Sequence, residues 1–332
     1  MDNFLASTLK QQAPLITSGT IGDINWYWLD HGVMVIEPNQ GEINQLEHVL
    51  LSAGVHGNET APIELLDQLV GDLLNSRLKL NVKLMIMLGN PEAMGNGERY
   101  NDIDMNRLFS QHHKNYPPCA ETLRAEQLEA LTAQFFESSK GRKLHFDLHT
   151  AIRESHHVRF ALLPYKDSGQ YSQKVCDWLS CSGVEAIVLN QEPSATFSYY
   201  SSEHCRADSC TLELGKAKPF GQNDLSQFEG INNGLRQLVS QGLPPSSTTA
   251  KLKVYQVSQQ LTKLSESFTM NFSDDVKNFT AFEQDEILAV DRDTTYRVQQ
   301  PTEWVLFPNP KVRPGLRAGL MLVEIEQDVI FH

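Results

Sequence analysis

The sequence predicts an α/β sandwich with a mixed, mostly parallel sheet, followed by a small C-terminal all-β domain. Three observations lead there. Short, nearly continuous runs of Val, Ile, Leu and Met alternate with longer amphipathic stretches, the pattern of strands covered on both faces and connected by helices. The stretch Gln241-Gly242-Leu243-Pro244-Pro245-Ser246-Ser247-Thr248-Thr249 has the composition of a linker. Beyond it the chain turns rich in Val, Thr, Phe and Tyr, and helical periodicity fades. The expected division is a catalytic α/β domain over residues 1–245 and a β domain over 246–332.

Taken in order, strands are expected at Val33–Ile36, Glu47–Ala53, Val82–Leu88, Lys143–Leu148, Val158–Leu163, Ala186–Leu189 and Ser209–Leu214. Helices are expected from Pro62 to Leu74, Cys119 to Glu137 and Ser172 to Leu179, where apolar residues recur every three or four positions. In the C-terminal part, short alternating runs at Lys251–Val257, Ser267–Phe272 and Thr295–Val298 read as strands. Ligands of such sheets gather at the carboxyl ends of strands, so the residues just after each apolar run are the place to look for chemistry.

Composition narrows the function. Of 332 residues, 40% are hydrophobic and 21% charged, as in an ordinary globular protein. With 28 basic and 41 acidic residues the net charge is −13, which argues against nucleic acid or an anionic membrane as partner. An anionic small molecule would have to be met by locally clustered arginines. The five cysteines, Cys119, Cys176, Cys181, Cys205 and Cys210, form no Cys-x-x-Cys pair and read as reduced thiols. Met1 to Gly19 lacks the pattern of a signal peptide, and no apolar run approaches the roughly 20 residues of a membrane span. A cytoplasmic protein is expected; assembly into a homo-oligomer stays open.

The most informative stretch is Ala53-Gly54-Val55-His56-Gly57-Asn58-Glu59-Thr60, where a strand hands over to a helix. Gly54 and Gly57 permit a tight loop around His56. His149 ends a later strand, next to Thr150. Two imidazoles and a carboxylate leave a tetrahedral zinc ion one open position, the arrangement of hydrolytic zinc sites. The pattern is neither His-Glu-x-x-His nor His-x-x-Glu-His, so Glu59 is expected as a ligand and not as the base. The bland reading is a loop histidine beside a glutamate that offsets the helix dipole.

Three further pieces carry chemistry. The loop Glu98 to Arg107 holds Arg99 and Arg107, whose forked guanidinium groups suit carboxylates, with Asp104 and Asn106 expected to lock them in place. Glu213, flanked by leucines in a strand, is expensive to bury unless it works, and a general base fits it; the alternative is a strand-end glutamate facing solvent. Asp147, two before His149, is placed to orient it. His145 would share a strand face with His149 but is not expected to ligate, and His112-His113 and His156-His157 are read as surface or supporting pairs. No Gly-x-Ser-x-Gly elbow and no phosphate-binding glycine loop is present.

His56-Gly-Asn-Glu59, Asp104-Met-Asn106-Arg107, Asp147-Leu-His149-Thr150 and Glu213-Leu-Gly215, in this order, resemble the aspartoacylase and succinylglutamate desuccinylase branch of the zinc carboxypeptidase clan. Met1-Asp2-Asn3-Phe4-Leu5, Pro219-Phe220-Gly221-Gln222-Asn223-Asp224 and Val305-Leu306-Phe307-Pro308-Asn309-Pro310 extend the resemblance over the whole chain. It implies a zinc-carboxypeptidase-like fold and one Zn2+ per subunit held by His56, Glu59 and His149, with Glu213 as catalytic carboxylate. Arg99 would polarise the scissile carbonyl, and Asn106 and Arg107 would grip a substrate carboxylate. The implied reaction is hydrolysis of N2-succinyl-L-glutamate to succinate and L-glutamate, the last step of arginine catabolism by the succinyltransferase route. That substrate has three carboxylates, so Arg153 and Lys216, close after His149 and Glu213, are expected to meet another. The rivals are an aspartoacylase-like hydrolase of another N-acyl amino acid and a non-catalytic metal- or carboxylate-binding protein.

Overall fold

The computed structural model describes residues 4–11, 14–151, 153–245, 252–326 and 331. Residues 246–249 of the expected linker, Ala250 and Lys251, and Met1-Asp2-Asn3 of the N-terminal motif lie outside the described residues.

Three strands, β1 (Ser18–Ile21), β2 (Ile24–Asp30) and β3 (Val33–Pro38), open the sheet as an antiparallel meander. Then come β4 (His48–Ala53), β5 (Lys83–Leu88), β6 (Lys143–His149), β7 (Phe160–Leu163), β8 (Ala186–Leu189) and β9 (Asp208–Glu213). The C-terminal part supplies β10 (Lys253–Thr262), β11 (Thr269–Met270), β12 (Thr280–Glu283), β13 (Ile287–Asp291), β14 (Thr294–Arg297), β15 (Thr302–Leu306) and β16 (Arg317–Ile325). The helices are α1 (Phe4–Leu9), α2 (Thr60–Leu74), α3 (Pro91–Asn96) and α4 (Ala120–Glu137), then α5 (Gln173–Cys181), α6 (Phe197–Cys205) and α7 (Glu229–Gln241).

One 13-stranded sheet runs in the order β1-β2-β3-β5-β4-β6-β9-β7-β8-β10-β16-β15-β12, beside a three-stranded sheet β11-β13-β14. Its centre, β5-β4-β6-β9, is parallel, as are β7-β8-β10; the flanks are antiparallel. The described secondary structure after residue 252 is all strand, as expected. The unexpected feature is that these strands continue the main sheet. β8 is an apolar Ala-Ile-Val-Leu strand whose open edge would leave backbone groups unpaired, and β10 covers it in parallel from Lys253↔Ala186 to Gln256↔Leu189.

Strand alternation sorts the core into two faces. Val49, Leu51, Leu144, Phe146, Leu148, Cys210 and Leu212 share one apolar cluster with residues of α2, α5 and α7. Leu50, Met85 and Met87 belong to a second cluster with α4 and α6. On that second face, β6 and β9 present His145, Asp147, His149, Ser209, Thr211 and Glu213, all buried. A polar seam therefore runs under α6 and opens at the carboxyl ends of β4, β6 and β9.

The seven expected strands of the α/β part and its three expected helices are present, with ends shifted by a few residues. The structure adds β1, β2, α1, α3, α6 and α7, which the apolar patterning does not predict. Helix α6 is Phe-Ser-Tyr-Tyr-Ser-Ser-Glu-His-Cys, a poor helix former by composition. Tertiary contacts secure its start: Asn106 Oδ1 accepts from Phe197 N at 3.1 Å, and Thr196 Oγ1 accepts from Tyr199 N at 3.3 Å.

Candidate metal centre and active site

β4 and β6 are parallel neighbours in register Ala53↔Leu148, so both deliver their succeeding residues to one edge of the sheet. After β4, Gly54 takes φ +68°, a left-handed conformation that glycine adopts without strain. Gly57 lies so close to α3 that a Cβ there would sit 2.3 Å from the backbone of Ala93 and Met94. This tight turn sets His56 at the edge and Glu59 immediately ahead of α2. The β6–β9 register then places Glu213 opposite His149.

The ligating atoms of His56, Glu59 and His149 all lie within 4.8 Å of one another. Glu59 Oε1 is 2.9 Å from His56 Nδ1, and Oε2 is 3.0 Å from His149 Nδ1. Thr150 N donates to Oε2 at 2.9 Å and steadies the carboxylate. Both imidazoles turn Nδ1 inward and give Nε2 to a carboxylate at 2.9 Å, His56 to Asp104 Oδ1 and His149 to Asp147 Oδ2. A carboxylate that takes the Nε2 proton leaves the Nδ1 lone pair facing the cluster, as a metal ligand requires. Two nitrogens and one carboxylate, all buried, are a donor set that can hold a metal ion.

The electrostatics agree. Burial opposes the charge on Glu59, yet the facing His56 and His149 outweigh it and hold the carboxyl well below its ordinary range. Burial likewise opposes charge on His149, and Asp147 and Glu59 overcome it, raising the imidazole well above its usual value. The surrounding carboxylates thus favour positive charge at this point. Glu213 behaves oppositely. Burial, then the Glu59 charge, pushes its carboxyl up to about 7, and among the described residues its Oε2 has no hydrogen-bond partner. It is a carboxyl suited to take and return a proton near neutrality.

Arg99 Nη1 donates to Glu59 Oε1 at 2.7 Å, at the rim of the cluster. Asn106 is buried, and Arg107 is exposed with Nη1 on the Asn106 carbonyl at 3.0 Å. Asp104 does not lock the arginines as the sequence predicts; its direct partner is the His56 imidazole. Two expected substrate contacts have protein partners of their own. Arg153 spends its guanidinium on backbone carbonyls, Nη1 to Asp274 and Val276 at 2.6 Å each and Nη2 to Pro308 at 2.8 Å. Lys216 is exposed and pairs with Glu154 at 3.3 Å. Arg153 is thereby tied to the C-terminal part of the chain.

Of the histidine pairs, His112 and His156 are exposed, whereas His113 is buried and His157 Nε2 lies 3.1 Å from Tyr255 Oη. His145 does not ligate. Its Nε2 is 2.8 Å from Ser52 Oγ and its Nδ1 2.6 Å from Ser201 Oγ, while Ser52 Oγ donates to Asp147 Oδ1 at 2.6 Å. Sequence reasoning misses Ser52 in this chain, although the two-residue period of β4 against β6 is a signal that could find it.

A mixed α/β sheet that gathers two imidazoles, a carboxylate and a separate buried glutamate at one edge defines a hydrolase with a metal-type centre. Residues 45–239 match the family model described as succinylglutamate desuccinylase/aspartoacylase catalytic domain, and 250–325 match the AstE/AspA barrel-sandwich hybrid domain. The succinylglutamate desuccinylase of Yersinia enterocolitica is 47% identical over 329 residues, covering 99% of this chain and 98% of that one. The solved succinylglutamate desuccinylase of Chromobacterium violaceum is 40% identical, with a TM-score of 0.86 and 98% of both chains covered. That of Vibrio parahaemolyticus is 30% identical, with a TM-score of 0.90, covering 98% of this chain and 96% of that one. The chain belongs to the succinylglutamate desuccinylase/aspartoacylase family.

Proposed function

We propose that this protein hydrolyses N2-succinyl-L-glutamate to succinate and L-glutamate, using a zinc ion held by His56, Glu59 and His149. The observation that carries the reading is the convergence of those three donors beside Glu213, whose buried Oε2 has no hydrogen-bond partner among the described residues. Full-length identity of 45–47% to proteins named succinylglutamate desuccinylase supports the choice of substrate. The nitrogen-rich donor set, with no thiolate, suits a catalytic zinc site.

When bound, the metal supplies a Lewis acid that polarises the amide carbonyl and acidifies water. Glu213 takes the proton of the attacking water and returns it to the leaving nitrogen of glutamate. Arg99 turns its guanidinium to the oxyanion as the carbonyl becomes tetrahedral. Arg107 takes a substrate carboxylate in its fork, and Asn106 adds its amide N–H, since its Oδ1 already accepts from Phe197 N. Asp104 and Asp147 hold the two imidazoles in the ligating tautomer. Arg153 and Lys216, placed away from the cluster, take no part in this mechanism.

We divide the chain into a catalytic part, 1–245, and a C-terminal β part, 246–332, a reading supported by the two matched spans. A cytoplasmic location is supported by five free cysteines. Among the described residues no helix is long and apolar enough to cross a membrane.

The test is a side-by-side assay on N2-succinylglutamate and N-acetylaspartate. The expected kcat/KM favours the succinyl substrate by about 100-fold or more, since groups built for a charged substrate reject an analogue that leaves them unpaired. A preference for N-acetylaspartate, or cleavage of neither, would overturn the reading.

A further inference from the structure

Asp104 and Asp147 each back one imidazole, but in different surroundings. The Asp104 side chain is 23% exposed and keeps contact with solvent. That of Asp147 is fully buried, so both of its oxygens need donors from the protein itself. Oδ2 faces His149 Nε2 at 2.9 Å, and Oδ1 accepts from the Ser52 hydroxyl at 2.6 Å. Among the described residues no other group donates to Oδ1. A carboxylate held at one oxygen can turn about its last bond. Held at both, it presents a fixed lone pair to His149.

The sheet register makes Ser52 the donor. β4 and β6 run parallel with Ser52 opposite Asp147, and side chains of residues so paired stand on one face of a sheet. Ser52 is itself fully buried. With its only hydroxyl hydrogen given to Asp147, its oxygen can only accept, and His145 Nε2 stands 2.8 Å away to donate. The His145 ring is fixed in turn. Its Nδ1 lies 2.6 Å from Ser201 Oγ of α6, and the Phe197 ring packs edge-on against it with centroids 4.6 Å apart. The Ser52 hydroxyl cannot swing away from Asp147 without giving up buried hydrogen bonds that nothing nearby replaces. The same strand leads to the other two ligands, since His56 and Glu59 follow Ser52 on the way into α2. The Ser52–Asp147 bond therefore ties the strand that delivers two donors to the strand that delivers the third.

We propose that Ser52 is a positioning residue for the metal centre: by fixing Asp147 it holds the His149 imidazole in its ligating orientation and so sets how tightly the ion is gripped. Groups that orient a ligand in this way govern affinity although they never touch the metal. His145 and Ser201 extend the support to α6, so a helix remote from the ligands shares in holding them. The proposal rests on the metal reading above and deepens it.

The test measures the zinc dissociation constant of the full-length chain, by competition with a chelator of known affinity, in wild type, Ser52→Ala, Ser52→Cys and Val49→Ala. Val49 lies on the same strand, buried in the apolar cluster of the opposite face, and makes none of these hydrogen bonds. Ser52→Ala is expected to raise the dissociation constant about tenfold, the lower end of what removing a ligand-orienting group costs. Ser52→Cys, which keeps the shape and weakens the donor, falls between Ser52→Ala and wild type. Val49→Ala lowers the melting temperature through lost packing and leaves zinc affinity unchanged. Wild-type affinity in Ser52→Ala, or an equal loss of affinity in Val49→Ala, would overturn the proposal. Should Ser52→Ala not fold, Ser52→Cys decides alone: a raised dissociation constant supports the role, and an unchanged one removes it. A wild-type chain that binds no zinc would refute the metal reading itself and this proposal with it, whereas equal affinities in wild type and Ser52→Ala overturn the proposal alone.

Discussion

Each of the two inward-facing imidazoles in the cluster is held from behind by its own carboxylate, Asp104 for His56 and Asp147 for His149. Glu213 differs from the other acids of the cluster in having a buried oxygen with no partner among the described residues. Burial lifts its carboxyl to about 7, the range where a proton can be both accepted and released. Replacing it with glutamine keeps shape and removes the basic oxygen. Glu213→Gln should retain metal at the wild-type ratio while kcat drops by about 10² or more; near-normal turnover in the variant would refute the assignment. The residues of this site are legible because their types are rare in apolar strands. Histidine and glutamate at the ends of Val- and Leu-rich runs announce themselves. Asp104 is legible as a member of the site but not in its role, since its imidazole partner lies 48 positions away.

Between strands and helix lies the seam of Ser52, His145, Asp147 and Ser201. Its hydrogen bonds run in one direction. His149 Nε2–H and the Ser52 hydroxyl both donate to Asp147, so Ser52 Oγ accepts from His145 Nε2–H, leaving His145 Nδ1 to accept from Ser201. Burial pushes His145 down to about 4, which keeps it neutral in this role. An unfolded histidine titrates near 6.5, so the unfolded chain binds more protons between about pH 6.5 and 4. The stability that the neutral ring contributes is therefore complete above about pH 6.5 and lost as the pH falls toward 4. Denaturant titrations across that window should show a fall in wild-type stability that becomes shallower in His145→Asn; an identical pH slope would contradict the assignment. Element positions are read from apolar runs, which is why β4, β5, β6 and β8 can be found that way and α6 cannot. Its Ser- and Tyr-rich sequence is held helical by Asn106 and by packing, information absent from the segment itself.

Across the whole molecule, β10 extends the main sheet from β8, and Arg153 straps the segment after His149 to three carbonyls of the C-terminal part. Arg153→Ala should lower the melting temperature by several degrees through the loss of these charge-assisted bonds, each about 1.5–3 kcal/mol at most, with zinc content unchanged. A melting temperature equal to wild type would mean the strap carries no weight. The same arrangement explains what sequence could not supply. Arg153 reads in sequence as a substrate contact, and only the folding of the C-terminal strands beside the segment after His149 gives it three carbonyl partners instead. On the proposed reading, a chain of net charge −13 meets an anionic substrate through local arginines, Arg99 and Arg107.

The account depends on one metal ion gripped by His56, Glu59 and His149. Zinc-edge X-ray absorption on the purified, active enzyme tests this directly. One zinc per chain is predicted, with only nitrogen and oxygen neighbours at about 2.0–2.2 Å, two of them imidazoles, and the signal should disappear in His149→Ala. Active enzyme without bound metal, or a shell containing sulfur at about 2.3 Å, would contradict it.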